Sequence, residues 1–240
     1  MWKVKKVMSD YLLYAFIASF SSIIGGLLPV YTRLKHIRTN YLIGFAAGVL
    51  ISTAIFGMLP EAVLESNIKI INPFALGFFL LYILEKSVMI HACKETECDV
   101  HNTGWVGMIG LGLESVLDGV AIAVGYITEP ALGLIIAFAV AVHELPVGFS
   151  TSIIMMRSNH DRKNTLVALF VTSFLTVIGA LIAGFFPREY FGHILAFTAG
   201  TFIYIGASDL LPHAHERVDW FVVVSVVSGA AVVPIMEWIL

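Results

Sequence analysis

The sequence predicts an all-α integral membrane protein with eight transmembrane helices, and three observations carry this prediction. The chain of 240 residues is 58% hydrophobic and only 13% charged, well outside the balance of a water-soluble domain. It contains eight apolar stretches of about 20 residues, the length that a helix needs to cross a bilayer core. Two of those stretches also repeat one pattern, which predicts internal symmetry.

The eight predicted spans are separated by short links that contain polar residues, proline or glycine. No link is long enough to fold by itself, so we treat residues 1–240 as a single transmembrane domain. The predicted spans cover residues 10–30, 41–65, 72–92, 104–127, 130–156, 164–186, 190–212 and 219–239.

Basic residues near the span ends orient the bundle. With both termini outside, nine of the fourteen Lys and Arg residues lie on the inner side, although the N-terminal KVKK favours the opposite orientation. We expect a multi-pass protein of the cell membrane with extracytoplasmic termini. A net charge of -3 without a long basic run gives no reason to expect a nucleic-acid partner. The oligomeric state is open, with a homodimer as one alternative.

Spans two and seven carry the repeated pattern. AGVLISTAIFGMLPEAVLE in span two and AGTFIYIGASDLLPHAHE in span seven each place a proline twelve residues after a glycine, from Gly48 to Pro60 and from Gly200 to Pro212. An even and an odd span run in opposite directions, so the repeat is inverted, as in many secondary transporters. Chance is the alternative, because Ala, Gly and Leu are common in membrane helices. An inverted repeat predicts a binding site near the bilayer midplane.

Polar residues interrupt spans four and five at one depth. Glu114 and Asp118 lie one helical turn apart in GLESVLDGVAIAVG, and His143 and Glu144 lie in AFAVAVHELPVGFS. The short link TEP makes the two spans an antiparallel hairpin, so these residues meet. Three ionised carboxylates there cost on the order of 8 kcal/mol on insertion scales. Because no Lys or Arg lies in the middle of a span, the compensating positive charge is a bound cation or protons.

Carboxylates with an imidazole form a ligand set for a divalent first-row metal, since oxygen suits Mn and Fe and imidazole suits Zn and Fe. The candidate metal ligands are therefore Glu114, Asp118, His143 and Glu144. Zn, Fe or Mn is the expected substrate, with Cd as a surrogate. The alternative is an interhelical hydrogen bond that holds the bundle together.

The motifs LDG in span four, HELP in span five, and the paired Ala-Gly and Leu-Pro patterns of spans two and seven resemble those of the Zrt/Irt-like, or ZIP, family of divalent metal transporters. The resemblance covers all eight spans. It implies eight helices with both termini outside and an inverted 3+2+3 repeat around spans four and five. It also implies metal uptake toward the cytoplasm through a midplane site between those two spans.

This chain departs from the family pattern at three positions. Span four usually has His and Asn where this chain has Glu114 and Ser115, and span five usually has Glu or His where this chain has Val147. We therefore expect one metal site, completed by water or a backbone oxygen. The residues that the resemblance leaves for the first site are Glu114, Asp118 and His143, and those left for a second are Glu144 and Asp209, with Ser115 in the Asn position.

Further polar residues lie along the expected path. Asp209 lies about 12 Å inward from the centre of span seven, His213 follows one turn later, and Glu61 holds a related place on span two, toward the outside. We interpret them as entry and exit ligands, with an ordinary interfacial role as the alternative. The short cytoplasmic loop 93–103 either captures metal or is a reduced, solvated loop. Its candidate ligands are His91, which precedes the loop, and Cys93, Cys98 and His101 within it.

Two other function classes are alternatives. HELPV begins like the H-E-x-x-H motif of zinc metalloproteases, but Val147 replaces the second histidine and Pro146 is expected to break the helix, so we do not expect an enzyme. A passive cation or proton channel would use the same polar residues and would differ from a transporter by a flux that does not saturate.

Overall fold

The computed structural model describes residues 2–32, 40–66, 70–94, 97–98, 100–215 and 219–239, with side chains described from residue 8 onward except for 88–107. Within these ranges the chain forms eight long helices. They are α1 (Trp2–Tyr31), α2 (Asn40–Ser66), α3 (Ile71–Ala92), α4 (Val100–Thr128), α5 (Pro130–Arg157), α6 (Arg162–Ala183), α7 (Arg188–Ala214) and α8 (Trp220–Ile239). Between α3 and α4, β1 (Cys93–Lys94) pairs antiparallel with β2 (Glu97–Cys98).

Seven helices in the described part of the chain are long and apolar enough to cross a membrane. They are α1 from Met8 onward, α2, α4 from Met108 onward, and α5 to α8. The remaining helix, α3, is 22 residues long, and its side chains are described as far as Ser87. The predicted helical, multi-pass membrane architecture is therefore confirmed. The predicted span ends lie within four residues of the helix ends, except that α1 begins eight residues before the predicted start at residue 10.

The bundle has an apolar surface, and its mainly apolar interior contains a cluster of polar residues. Large apolar side chains such as Phe20, Phe185 and Trp238 are exposed on its outer faces, whereas Asp118 and His143 are almost completely buried. Lipid tails solvate apolar side chains, and ionisable groups in membrane proteins face the interior. The distribution of side chains thus fits a bilayer, with the polar residues gathered between the helices.

Among the described residues, glycines permit close helix crossings, and four of these crossings have a glycine on each helix. At Gly119 of α4 an added Cβ would overlap the backbone carbonyl of Thr176 on α6, so the two helices touch backbone to backbone. Small residues allow such approaches in membrane bundles. The four crossings are α4 with α6 (Gly119 and Gly179), α1 with α5 (Gly25 and Gly148), α2 with α8 (Gly48 and Gly229) and α3 with α7 (Gly77 and Gly200). The first two of these crossings pack α6 against α4 and α1 against α5.

Both α2 and α7 contain a π-helical turn just before a proline. The turn Thr53–Met58 precedes Pro60, and the turn Ile205–Leu210 precedes Pro212. A proline ring clashes with the carbonyl four residues earlier in a regular helix, and in both helices that carbonyl lies inside the π turn. The wider turn accommodates the ring, so each helix continues past its proline.

The prediction that Pro146 breaks the helix of span five is wrong. Pro146 lies inside α5, which continues to Arg157. The backbone on both sides of the proline is held against α1, since added Cβ atoms at Gly25 and Gly148 would overlap the carbonyls of Leu145 and Ser22. These contacts before and after Pro146 keep α5 continuous, although a proline without such contacts would weaken the helix.

Candidate metal centre

A tight turn brings α4 and α5 together as an antiparallel pair. Glu129 is the one residue between the two helices, and its N–H donates to the carbonyl of Gly125 at 2.8 Å. Pro130 follows at the first position of α5, where the missing N–H would have no helical partner in any case. The polar residues of the two helices therefore meet near the middle of the bundle, as the short link predicts.

The imidazole of His143 lies beside two carboxylates of α4. Its Nε2 atom is 3.3 Å from Oδ2 of Asp118 and 3.8 Å from Oε1 of Glu114. One ligand atom from each of the three residues can be chosen so that all lie within 4.8 Å of one another. Two oxygens and one nitrogen thus converge on a small volume between the helices.

The hydrogen bonds of His143 leave Nε2 available. Its Nδ1 lies 3.1 Å from the carbonyl of Ala139, one turn earlier on α5, and we assign the ring proton to Nδ1 from this contact. Nε2 then carries a lone pair that faces Asp118. Among the described residues, neither Nε2 of His143 nor Oδ2 of Asp118 has a hydrogen-bond partner. The two buried atoms, 3.3 Å apart, thus offer one nitrogen and one oxygen that can bind the same cation.

The ligand set and its spacing fit a first-row divalent metal. Bonds of about 2.0–2.2 Å to nitrogen and oxygen place opposite ligands at most about 4.4 Å apart, so the 4.8 Å group needs only a small contraction. Glu114 is the side chain that can supply this movement, because it is 14% exposed while those of His143 and Asp118 are 0% and 2% exposed. The ring of Phe202 packs edge-on against His143 and limits its motion.

Glu144 is adjacent in sequence to His143 but contacts a different set of groups. Its Oε1 accepts hydrogen bonds from the hydroxyls of Ser115 at 3.3 Å and Thr176 at 3.4 Å, and Ser22 of α1 also reaches this carboxylate. The Glu144 side chain is fully enclosed, and its Oε2 atom has no partner among the described residues. A second polar cluster, one carboxylate surrounded by hydroxyl groups, therefore lies beside the first.

Asp209 and His213 form a separate pair on α7. Nδ1 of His213 is 3.3 Å from Oδ1 of Asp209 and 2.8 Å from the Asp209 carbonyl oxygen. Their side chains are 47% and 59% exposed. Among the described residues, the group of possible metal ligands at the centre does not include either of them, so their role as a second site or pathway stays a prediction.

The remaining predicted ligands lie elsewhere. Glu61 on α2 is half-buried and interacts with the charges of Glu65 and Glu129. The four candidate ligands around the loop 93–103 lie outside the residues whose side chains are described, and they are His91, Cys93, Cys98 and His101.

Sequence reasoning missed Ser22 and Thr176, the hydroxyl groups that face Glu144. The sequence does contain a signal for them. SFSSIIG at 19–25 and SFLTVIG at 173–179 match at five of seven positions when the hydroxyl residues Ser22 and Thr176 are counted as equivalent.

Reasoning from the sequence also left Glu85 without a role. In the structure the hydroxyl of Tyr204 donates to Glu85 at 2.5 Å, and Lys86 forms an ion pair with the same side chain.

Comparison with known proteins identifies the class of membrane protein to which this arrangement belongs. A family model described as "ZIP Zinc transporter" matches residues 90–237. Zinc transporter ZupT of Chlorobium chlorochromatii is 25% identical over 95% of this chain and 98% of its own length. The uncharacterized protein MJ1036 of Methanocaldococcus jannaschii is 30% identical over 84% of this chain and 87% of its own length. Zinc transporter ZIP10 of Mus musculus is 28% identical over 48% of this chain, which spans only 14% of ZIP10.

The chain belongs to the ZIP zinc transporter family, as the motifs of spans two, four, five and seven predicted. It is a multi-pass membrane protein that transports metal ions and is not an enzyme. The metalloprotease alternative is therefore excluded. A divalent metal ion is the transported substrate that the family implies.

Proposed function

We propose that this protein takes up zinc, iron or manganese across the cell membrane toward the cytoplasm, and that Glu114, Asp118 and His143 hold the ion midway. The observation that carries the proposal is the pair of buried, unpartnered atoms, Oδ2 of Asp118 and Nε2 of His143, 3.3 Å apart in the centre of the bundle. A divalent ion would neutralise the two carboxylates and bind the imidazole lone pair.

The proposed topology has eight spans, with α3 as the third, and an inverted 3+2+3 repeat. The repeat relates α1 to α6, α2 to α7, α3 to α8 and α4 to α5. Under this exchange the α1–α5 crossing becomes the α6–α4 crossing, and α2–α8 becomes α7–α3. All four of these crossings are close glycine contacts. The two π turns support the same relation, since both precede the Leu-Pro of the repeated pattern.

The central helices match position by position under this exchange. Glu114 corresponds to His143, and Asp118 corresponds to Val147, each pair separated by 29 residues. The buried Val147 side chain thus occupies the place where a fourth protein ligand would complete the symmetry. We propose that water or a backbone oxygen completes the metal site there, so that the ion is held by three side chains and leaves readily.

The proposed path enters near Glu61 and leaves past Asp209 and His213. By the same repeat, Glu61 corresponds to His213, so equivalent positions carry polar side chains near opposite ends of the path. This direction assumes that both termini are extracytoplasmic, as the distribution of basic residues favours.

Uptake by reconstituted protein tests the proposal. Liposomes that contain the purified protein should accumulate zinc, iron or manganese with saturation, and cadmium should compete. Flux equal to that of empty liposomes for each metal would overturn the proposal. A flux that rises linearly without saturation would instead favour the channel alternative.

A further inference from the structure

We propose that the N-terminal half of α6 binds an anionic phospholipid, with the lipid phosphate on Arg162 and Lys163 and an acyl chain along the helix. This inference concerns the outer surface of the bundle and goes beyond the proposed metal transport. A groove of about 560 Å³ lies along this face of α6 and is open to the surroundings of the bundle. Its lining residues are Arg162, Lys163, Leu166, Val167, Phe170 and Val171.

The groove separates positive charge from apolar surface along its length. Its two basic residues lie in the first turn of α6, and the four lining residues that follow are apolar. A rise of 1.5 Å per residue places Val171 about 14 Å from Arg162 along the helix. One leaflet is half of a bilayer core about 30 Å thick, which is about 15 Å. The groove therefore has the length and the polarity of one lipid molecule in one leaflet.

The guanidinium of Arg162 is positioned by an aromatic ring. Its central carbon lies 3.9 Å from the centroid of the Tyr31 ring, at the end of α1. This cation–π contact fixes the face of the guanidinium. The N–H donors remain at its edge, and they can bind a phosphate through two parallel hydrogen bonds. The phosphate ligand is thus oriented before a lipid binds.

The acid beside the groove leaves this end of α6 positively charged. RSNHDRK at 157–163 contains three basic residues and one acid, Asp161. The carboxylate of Asp161 caps α6, because it accepts a hydrogen bond from the N–H of Asn164 at 2.8 Å. Among the described residues, no ion pair involves Arg162 or Lys163. Basic residues at a membrane surface attract anionic lipids, so an anionic headgroup complements this site.

A lipid fits this face better than a helix of a second copy of the chain. The groove covers ten of the 22 residues of α6. One turn beyond Phe170 on the same face, Phe174 packs against Phe16 of α1, with 6.4 Å between the ring centroids. Interfaces between membrane helices are rich in small residues, whereas Leu, Val and Phe line this groove. Its shortness and its bulky lining thus favour an acyl chain.

Native mass spectrometry of the purified protein in a neutral detergent tests the inference. The probes are phosphatidylglycerol, which is anionic, and phosphatidylcholine, which is zwitterionic, with identical acyl chains. Wild type should bind one phosphatidylglycerol at least tenfold more tightly than phosphatidylcholine. Arg162→Gln and Lys163→Gln should each weaken phosphatidylglycerol binding about fivefold, and the double variant about thirtyfold, as expected for basic residues at an anionic membrane surface.

Two further variants separate a specific site from a general loss of charge. Arg188→Gln is the matched control, because Arg188 is an exposed residue at the start of α7 and does not line the groove. It should leave the affinity unchanged. Tyr31→Leu keeps both basic residues but removes the ring beneath Arg162, so it should weaken phosphatidylglycerol binding about two- to fivefold. It should cause no additional loss in Arg162→Gln.

Three results would overturn the inference. The first is equal affinity of the wild type for the two lipids, and the second is an equal loss of phosphatidylglycerol binding in Arg188→Gln. The third is displacement of the lipid by millimolar inorganic phosphate, which would mean that the site recognises free phosphate. Phe170→Ala tests the acyl chain separately and should weaken the binding of both lipids, because it removes apolar surface from the groove.

Discussion

Two Asp–His pairs in this protein have the same separation and opposite surroundings. At the centre, Nε2 of His143 is 3.3 Å from Asp118, and both side chains are buried. Near the end of α7, Nδ1 of His213 is also 3.3 Å from Asp209, but about half of each side chain is exposed. Charge interactions are strong in an interior and weak in water. The same two residue types therefore form the buried pair of the proposed metal centre in one place and a half-exposed pair on α7 in the other.

The two pairs also differ in which imidazole nitrogen faces the carboxylate. At the centre, Nδ1 is engaged by the Ala139 carbonyl, so Nε2 faces the carboxylates and can bind metal. On α7, Nδ1 itself contacts both the carbonyl and the carboxylate of Asp209, so the second nitrogen faces away from the pair. The exposed pair thus presents its ligand atoms separately, as expected of the weak exit site proposed above.

Removing the charge of Asp118 should have the largest effect. Asp118→Asn keeps the shape of the side chain but leaves the metal with one carboxylate fewer in a buried site. Since loss of a group that merely supports a metal ligand costs about 10- to 100-fold, we expect at least a hundredfold loss of zinc affinity and no measurable uptake. Isothermal titration and liposome flux measure the two effects. Glu189→Gln, at an exposed residue in the first turn of α7, is the control. Near-normal affinity of the Asn variant would mean that Asp118 is not a ligand.

Adding a fourth ligand should increase the metal affinity of the buried centre. Val147→Glu places a carboxylate at the position equivalent to Asp118, so we expect about tenfold tighter metal binding and slower transport. Conduction requires binding that is weak enough for the ion to leave. Val147→Ala is the size control and should change neither quantity by more than a small factor.

Metal titration and flux measured on the same preparation test this substitution. Affinity of Val147→Glu that is no higher than that of wild type would show that position 147 does not face the ion. In that event the register proposed for the central helices, with Val147 opposite Asp118, would be wrong.

The convergence of the central residues was predictable from the sequence, and the reason is physical. Ionisable groups are expensive in apolar helices, so Glu114, Asp118 and His143 were conspicuous, and a three-residue link forced their helices to be antiparallel neighbours. The repeated Leu-Pro pattern was equally easy to recognise in the sequence. The membrane class and the family followed from these features.

Other parts of the centre could not be predicted in the same way. Ser22 and Thr176 face Glu144. Hydroxyl residues are common in membrane helices and commonly bond to the backbone of their own helix, so residue type alone does not identify these two as part of the centre. The continuity of α5 through Pro146 depends on contacts with α1, which are tertiary. The bond from Tyr204 to Glu85 joins α7 to α3 and has no local signature.

Changing the third ligand at the centre should alter selectivity more than affinity. Glu114→His replaces an oxygen with a nitrogen, and imidazole favours zinc over manganese. We expect the ratio of zinc to manganese affinity to rise by about fivefold, which corresponds to roughly 1 kcal/mol. Competition between the two metals in uptake measures it, with Glu114→Gln as an oxygen-bearing control. An unchanged metal ranking would count against Glu114 as a ligand.

The exposed pair should give the smallest effect, and its kinetic signature should differ from that of the centre. Asp209→Asn removes the charge of a half-exposed side chain, and exposed ion pairs contribute only about 0.2–1 kcal/mol. If the pair assists release of the ion, kcat for zinc uptake should fall about two- to threefold while KM and the equilibrium affinity stay the same. Asp118→Asn, by contrast, should abolish binding itself. Leu210→Ala, the next residue on the same π turn, tests whether disturbance of α7 alone slows transport. A loss of zinc affinity in Asp209→Asn comparable to that in Asp118→Asn would mean that the two Asp–His pairs form one site, and that the half-exposed position of Asp209 closes around the ion during transport.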